Sequence, residues 1–193
     1  DIVYNANATS VSQDGDSATV VVNDGESEYT GAYIVGADGA NSIVRRTLDI
    51  PFDGFTWAER FLVASTPFDF TTVFPDLSSV SYVADPEEWY FLLQIPDGLW
   101  RVMFPTRADE DDDDILSDAC VQARLARVHD KGSPYEIVHK TLYNVHQRVA
   151  DTYRVGRMIL TGDAAHINNP LGGMGMNGGI HDSFNLAEKL VPV

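Results

Sequence analysis

GDAAHINNPLGGMGMNGGIHDS, residues 162–183, places six glycines, three asparagines and two aspartates in 22 positions, directly behind the apolar residues Met158, Ile159 and Leu160. Arg157 to Thr161 reads as a short buried strand, and Asn177 to Leu190 reads as a helix. Gly162 and Asp163 then sit at the carboxyl end of a strand, which is where open α/β sheets bind ligands. A carboxylate there accepts hydrogen bonds from a polyol or a ribose. Gly172, Gly173 and Gly175 let backbone approach a flat or anionic group without side-chain obstruction. A helix entering near Asn177 aims free amides and the positive end of its dipole at the same place.

Gly173, Gly175 and Gly178 formally satisfy G-x-G-x-x-G. About ten residues separate them from the preceding strand, and the sequence ends before a ribose-binding acid could appear some 20 residues on, so a dinucleotide fingerprint is a poor reading. A Gly-rich connection with no ligand is the plain alternative.

A second stretch of the same kind is YIVGADGANSIVRR, residues 33–46. A strand ends in Gly36, Asp38 and Gly39, and Ser42 and Arg45 follow within the next turn. A carboxylate, a hydroxyl and a cation thus meet beside exposed backbone. The same residues also suit a turn followed by a capped helix over Asn41 to Leu48, with Asn41 or Ser42 as cap and Arg45 and Arg46 near its end.

Between the two stretches the pattern is mostly extended. Ala18 to Val22 and Tyr29 to Val35 flank Asn23, Asp24 and Gly25 as a hairpin. Arg60 to Ala64, Val80 to Ala84, Trp89 to Ile95 and Leu99 to Phe104 read as an antiparallel sheet, the last two joined by Pro96, Asp97 and Gly98. Ile115 to Val128 has a helical period, with the run Asp109 to Asp114 at its N-terminal end. Tyr135 to Val149 reads as a long strand. The fold class is mixed α/β, or α+β, rich in antiparallel sheet, with expected divisions at 1–50, 51–149 and 150–193.

With 193 residues the chain can bury a sizeable core. Thirteen Lys and Arg against 29 Asp and Glu give a formal charge of −16, which repels nucleic acid and anionic membranes. No apolar run reaches the roughly 20 residues of a membrane span and no signal peptide is evident, so a cytoplasmic location is expected. Cys120 is the single cysteine, which excludes an internal disulfide; it reads as a small buried hydrophobe on a helix. His139 and His146 lie seven apart on one strand, hence on opposite faces, and no metal site is expected. The start at Asp1 and the end just after a helix-like segment read as marks of a fragment.

Together the two stretches resemble the single-component flavoprotein aromatic hydroxylases, the p-hydroxybenzoate hydroxylase-like family. Asp38, Gly39, Ser42 and Arg45 match its DG motif. Gly162, Asp163, Ala164, Ala165, His166, Pro170, Gly172, Gly175, Asn177 and Asp182 match its second FAD motif. The pair stands in this order about 120 residues apart, and the close resemblance covers roughly a quarter of the chain.

The resemblance implies FAD as cofactor, NADH or NADPH as reductant, and O₂ and a small aromatic, commonly phenolic, substrate. It implies that Asp163, beside Gly162, binds the ribityl chain, and that Pro170, Gly172, Gly173, Gly175, Met176 and Asn177 lie along the isoalloxazine ring. Asp38, Gly39 and Arg45 resemble the segment tied to the FAD pyrophosphate and reduced nicotinamide. No residue is assigned a catalytic role; His166 is expected to be satisfied by nearby backbone. The family's opening βαβ unit, with its true G-x-G-x-x-G, is not in this sequence, so FAD binding by this stretch alone is expected to be weak or absent. A homodimer is left open.

Thirteen of the 20 aromatic residues fall between Phe52 and Phe104, enough to line an apolar chamber, although sheet core is the ordinary reading for most. Rival readings are another flavoprotein oxidoreductase, such as a reductase, epoxidase or halogenase, and a remnant that binds no cofactor. A halogenase would want a lysine in the chamber, and Lys131 and Lys140 are the only lysines between Pro51 and Val149.

Overall fold

A computed structural model describes residues 1–190. In chain order the strands are β1 (Ala8–Gln13), β2 (Ala18–Val22), β3 (Ser27–Gly31), β4 (Ile34–Gly36), β5 (Phe52–Thr66), β6 (Val80–Val83), β7 (Tyr90–Ile95), β8 (Leu99–Thr106), β9 (His139–Ala150), β10 (Arg154–Val155), β11 (Met158–Leu160) and β12 (His166–Ile167). The helices are α1 (Ile43–Thr47), α2 (Asp112–Ile115), α3 (Asp118–Val128) and α4 (Met174–Leu190). The chain forms two compact units, Asp1–Thr56 together with the segment from His146 onward, and Trp57–Val145. The boundaries fall inside β5 and β9, several residues from divisions after 50 and 149.

In the first unit β1, β2 and β3 form an antiparallel meander. The turn after β2 uses positive φ at Asn23 (51°), Asp24 (55°) and Gly25 (103°), conformations that Asn, Asp and Gly tolerate. β4 pairs in parallel with β11, Ile34 to Met158 and Gly36 to Leu160, and β10 flanks β11 antiparallel. Met158, Ile159 and Leu160 are all buried, as expected of a strand covered on both faces. Each contributes about 1.5–3 kcal/mol of apolar burial. The core joins them to Val11, Ala18, Val44 and Ile50. Gly36 is required where α1 crosses β4, because an added Cβ would lie 2.9 Å from the Val44 Cβ.

In the second unit the later half of β5 pairs with β8, β8 with β7, and β7 with β6, all antiparallel. Trp100, Val102 and Phe104 alternate into a core with Leu62, Ala64 and Leu92, packed with Val121 and Leu125 of α3. Most of the aromatic cluster is therefore core: Phe70, Trp100 and Phe104 are at most 1% exposed. Phe55, Trp57 and Tyr82 are exposed. Cys120 on α3 is only half-buried.

Several segments differ from the sequence expectation, among them β5, which starts at Phe52 rather than Arg60. The stretch Tyr29 to Val35 divides, because β3 ends at Gly31 and β4 leaves for a different sheet. Residues 115–128 divide because the Ser117 hydroxyl accepts from the Cys120 amide (3.2 Å) and starts α3 afresh, while Asp111 caps α2. β9 begins at His139 rather than Tyr135, whose amide and carbonyl are both bonded to the Gln122 side chain (2.8 Å each). The last helix starts at Met174, three residues before Asn177, since left-handed Gly173 (φ 61°) closes the Pro170–Gly172 turn immediately ahead of it. β1, β10 and β12 have no counterpart in the sequence reading.

Candidate functional site

The parallel pairing of β4 with β11 delivers both glycine–aspartate turns to the same end of one small sheet. Beyond it lies a cleft of about 370 Å³, lined by Ala37, Gly39, Thr161, Gly162, Asp163 and, from α4, Met176, Gly179, Ile180 and Ser183. The α4 residues follow an i, i+3, i+4, i+7 rhythm and so form one helix face. Gly162 (φ 59°) and Gly179 approach so closely that a Cβ on Gly179 would sit 3.4 Å from the Gly162 Cα. Bare backbone thus forms part of the cleft's wall.

Of the residues singled out from the sequence, Gly39, Gly162, Asp163 and Met176 line this cleft. Asp163 is exposed, and its carboxylate accepts no hydrogen bond from the described residues. Thr161 was not singled out; it is 5% exposed and its Oγ1 is buried without a partner. Two polar groups at one cleft, one open and one orphaned, fit a ligand carrying hydroxyls.

The other expected residues stand elsewhere. Asp38 accepts from the amides of Ile43 (2.7 Å) and Val44 (3.3 Å), and so caps α1 alongside Ser42, which accepts from Arg45 N (3.0 Å). Arg45 is buried at 6% exposure; its guanidinium donates to the carbonyls of Ala164 (2.9 Å) and Ala40 (2.6 Å) and stacks 3.8 Å over the Phe52 ring. Burial lowers its pKa, and the nearby Asp38 charge opposes that shift. Arg45 therefore ties the two motifs together from beneath. Gly175, Met176 and Asn177 lie in the first turn of α4, where the Asn177 side chain donates back to the Gly173 carbonyl (2.8 Å). Pro170, Gly172 and Gly173 form the turn leading into that helix.

His166 is satisfied by a side chain rather than by backbone: its Nε2 lies 2.8 Å from Asp182 Oδ2, which also accepts from the Gly162 amide (3.1 Å). Asp182 thereby anchors α4 to the turn that bears Asp163. Its position in the matched motif was the one available signal; periodicity alone offered none.

A family profile described as an FAD binding domain matches residues 1–193. The chain belongs to this FAD-binding family. Among curated relatives, para-nitrophenol 4-monooxygenase of Pseudomonas sp. (strain WBC-3) is 36% identical over 203 residues, covering 100% of this chain and 48% of the relative. 6-Hydroxy-3-succinoylpyridine 3-monooxygenase HspB of Pseudomonas putida is 39% identical over 166 residues, covering 83% and 40%. Among solved structures, p-nitrophenol 4-monooxygenase PnpA of Pseudomonas putida DLL-E4 superposes with a TM-score of 0.82 at 33% identity, covering 97% of this chain and 48% of that one. Aklavinone-11 hydroxylase, in a ternary complex with FAD and aklavinone, gives 0.79 at 27% identity, covering 96% and 36%. This chain thus spans about half the length of the curated relatives it matches, or less. The fold is that of p-hydroxybenzoate hydroxylase-like flavoproteins. No described helix is long and apolar enough to cross a membrane.

Proposed function

We propose that the protein containing this chain is an FAD-dependent monooxygenase that hydroxylates a small phenolic substrate, with O₂ as oxidant and NADH or NADPH as reductant. The observation that carries the reading is the cleft where Gly39 and Asp163, 124 positions apart in sequence, meet through the β4–β11 ladder. The relatives are named as monooxygenases and hydroxylases of aromatic compounds, which supports the reaction class.

In this reading Asp163 and Thr161 take the ribityl hydroxyls, and Gly162 and Gly179 leave backbone bare for close approach. Gly172, Gly173, Gly175, Met176 and Asn177, with Pro170 before them, shape the turn and helix start beside the ring. The first amides of α4 have no intrahelical acceptor and favour negative charge near them. Asp38, Gly39 and Arg45 hold the turn on the pyrophosphate side, Asp38 and Arg45 by fixing the backbone. The bound flavin supplies the redox chemistry, passing electrons from the nicotinamide to O₂; the protein supplies placement and exclusion of water.

The test is flavin absorbance of the full polypeptide before and after FAD is added, followed by NAD(P)H oxidation with a panel of phenols and identification of a product bearing one more oxygen. Failure to take up FAD at saturating concentration overturns the reading.

A further inference from the structure

The ladder between β12 and β9 pairs His166 with Val149 and Ile167 with Arg148. One further step of that register brings Asn168 opposite Gln147, and their side chains meet. The Gln147 Nε2 donates to Asn168 Oδ1 (3.2 Å), and the Gln147 Oε1 accepts from the Asn169 amide (3.3 Å). Gly54 of β5 lies so close to the Gln147 carbonyl that no side chain would fit there, which holds this end in place. From Asn168 the Nδ2 reaches His166 Nδ1 (3.4 Å). Beyond the ring, Asp182 Oδ2 meets both His166 Nε2 (2.8 Å) and the Gly162 amide (3.1 Å). An unbroken polar chain thus runs from β9, through four side chains, to the turn that lines the cleft.

Each bond in this chain has one permitted direction. A backbone amide only donates, so Asn169 fixes the orientation of the Gln147 amide, Gln147 fixes that of Asn168, and the Asn168 Nδ2 then requires an acceptor at His166 Nδ1. At the other end an ionised carboxylate only accepts, so Asp182 requires a donor at His166 Nε2. The two ends, taken separately, demand the same neutral imidazole with its proton on Nε2. The opposite tautomer, or an imidazolium, would set one donor against another at Asn168. Neither the Pro170–Gly172 turn nor α4 contains a buried residue, so apolar packing does little to fix them. Hydrogen bonds carry that task.

We propose that Gln147, Asn168, His166 and Asp182 act as one positioning relay, which holds the segment ahead of Pro170 in register with the Gly162–Asp163 turn by keeping His166 as its Nε2–H tautomer. That these two parts meet the ring and the ribityl chain of FAD rests on the monooxygenase reading. The relay itself rests on bond directions that agree from both ends.

Nitrogen NMR of the full polypeptide, isotope-labelled at histidine, tests the relay without FAD. At about pH 8, above the ordinary imidazole range, His166 should show an unprotonated Nδ1, its signal assigned by loss in H166Q. N168D turns a carboxylate toward that nitrogen and should draw a proton onto it. A protonated Nδ1 in the parent, or a ring spectrum unmoved in N168D, overturns the proposal. Equilibrium dialysis with FAD then reads the coupling. Q147M and D182A should each weaken binding by about fivefold or more, and D182N by no more than about twofold, because one oxygen accepts both bonds. The Q147M/D182A double variant should bind within about twofold of the weaker single variant. Gln147 and Asp182 share no hydrogen bond, so independent structural effects would multiply; multiplied losses, or no loss in either single variant, overturn the proposal. If D182A does not fold, H166Q takes its place in the cycle. A parent that takes up no FAD yet shows the N168D response sinks the monooxygenase reading and leaves the relay. FAD uptake with an unmoved N168D ring does the reverse.

Discussion

The Arg45 guanidinium donates to the carbonyl of Ala164, 119 residues further along the chain, at 2.9 Å. One buried cation thereby joins the two turns on which the cleft depends. Replacing it with Met leaves the Ala164 and Ala40 carbonyls unpaired and should cost about 2–3 kcal/mol. Arg45→Lys should lose less, keeping charge and one bond but not the fork. Urea unfolding monitored by circular dichroism gives both values.

Asp163 should behave in the opposite manner. Its carboxylate is exposed and holds nothing in place, so Asp163→Ala should alter stability by no more than about 0.5 kcal/mol. FAD affinity should fall by about tenfold or more, the loss of a charged hydrogen bond. Equilibrium dialysis with FAD and a thermal melt of the same variant separate the two effects.

Thr161→Val removes a hydroxyl that is buried without a partner, so the folded protein should be unchanged or slightly more stable. Flavin binding should nonetheless weaken. Unaltered affinity would mean that the hydroxyl has no ligand to meet.

Gly179→Leu places a side chain where the helix passes closest to Gly162. Leu is a better helix former than Gly, so α4 should persist by circular dichroism. The cleft should be filled, and FAD uptake lost.

The Asp14 carboxyl is held below its ordinary value of 3.8, first by the Asp16 amide, then by the Ser17 amide and hydroxyl. A group depressed in the folded state adds stability that is present above the unfolded pKa and is lost as pH falls through the lower, folded value. Asp14→Asn should therefore destabilise the protein at neutral pH, and the difference from the parent should shrink below pH 3.8. Unfolding curves collected from pH 7 down to pH 3 follow that difference directly.

Much of the scaffold could be read from local chemistry. The alternation along Leu99 to Phe104, the Pro96–Asp97–Gly98 turn with positive φ at Asp97 (66°) and Gly98 (70°), and Ser42 as cap of α1 are each dictated by neighbours in sequence. Met158 to Leu160 declared a buried strand by composition alone. What escaped reading depends on distant partners. Nothing near Arg45 indicates that its guanidinium ends at Ala164, and nothing near Thr161 indicates an orphaned hydroxyl. Tyr135 has strand chemistry, yet Gln122 claims its backbone. Gly179 and Ile180 were hidden by placing the start of α4 at Asn177; from Met174 onward their shared face with Met176 is plain.

The parallel partnership of β4 and β11 also bears on the order of assembly. Ile34 leaves the ribosome long before Met158, and their rung can close only once the whole intervening stretch has been synthesised. Residues 57–145 form a compact unit from one unbroken segment, so they can fold as they emerge, ahead of the rest. Until translation passes Leu160, the edge of β4 stays open, and closing it is the late, slow event expected of a long-range contact.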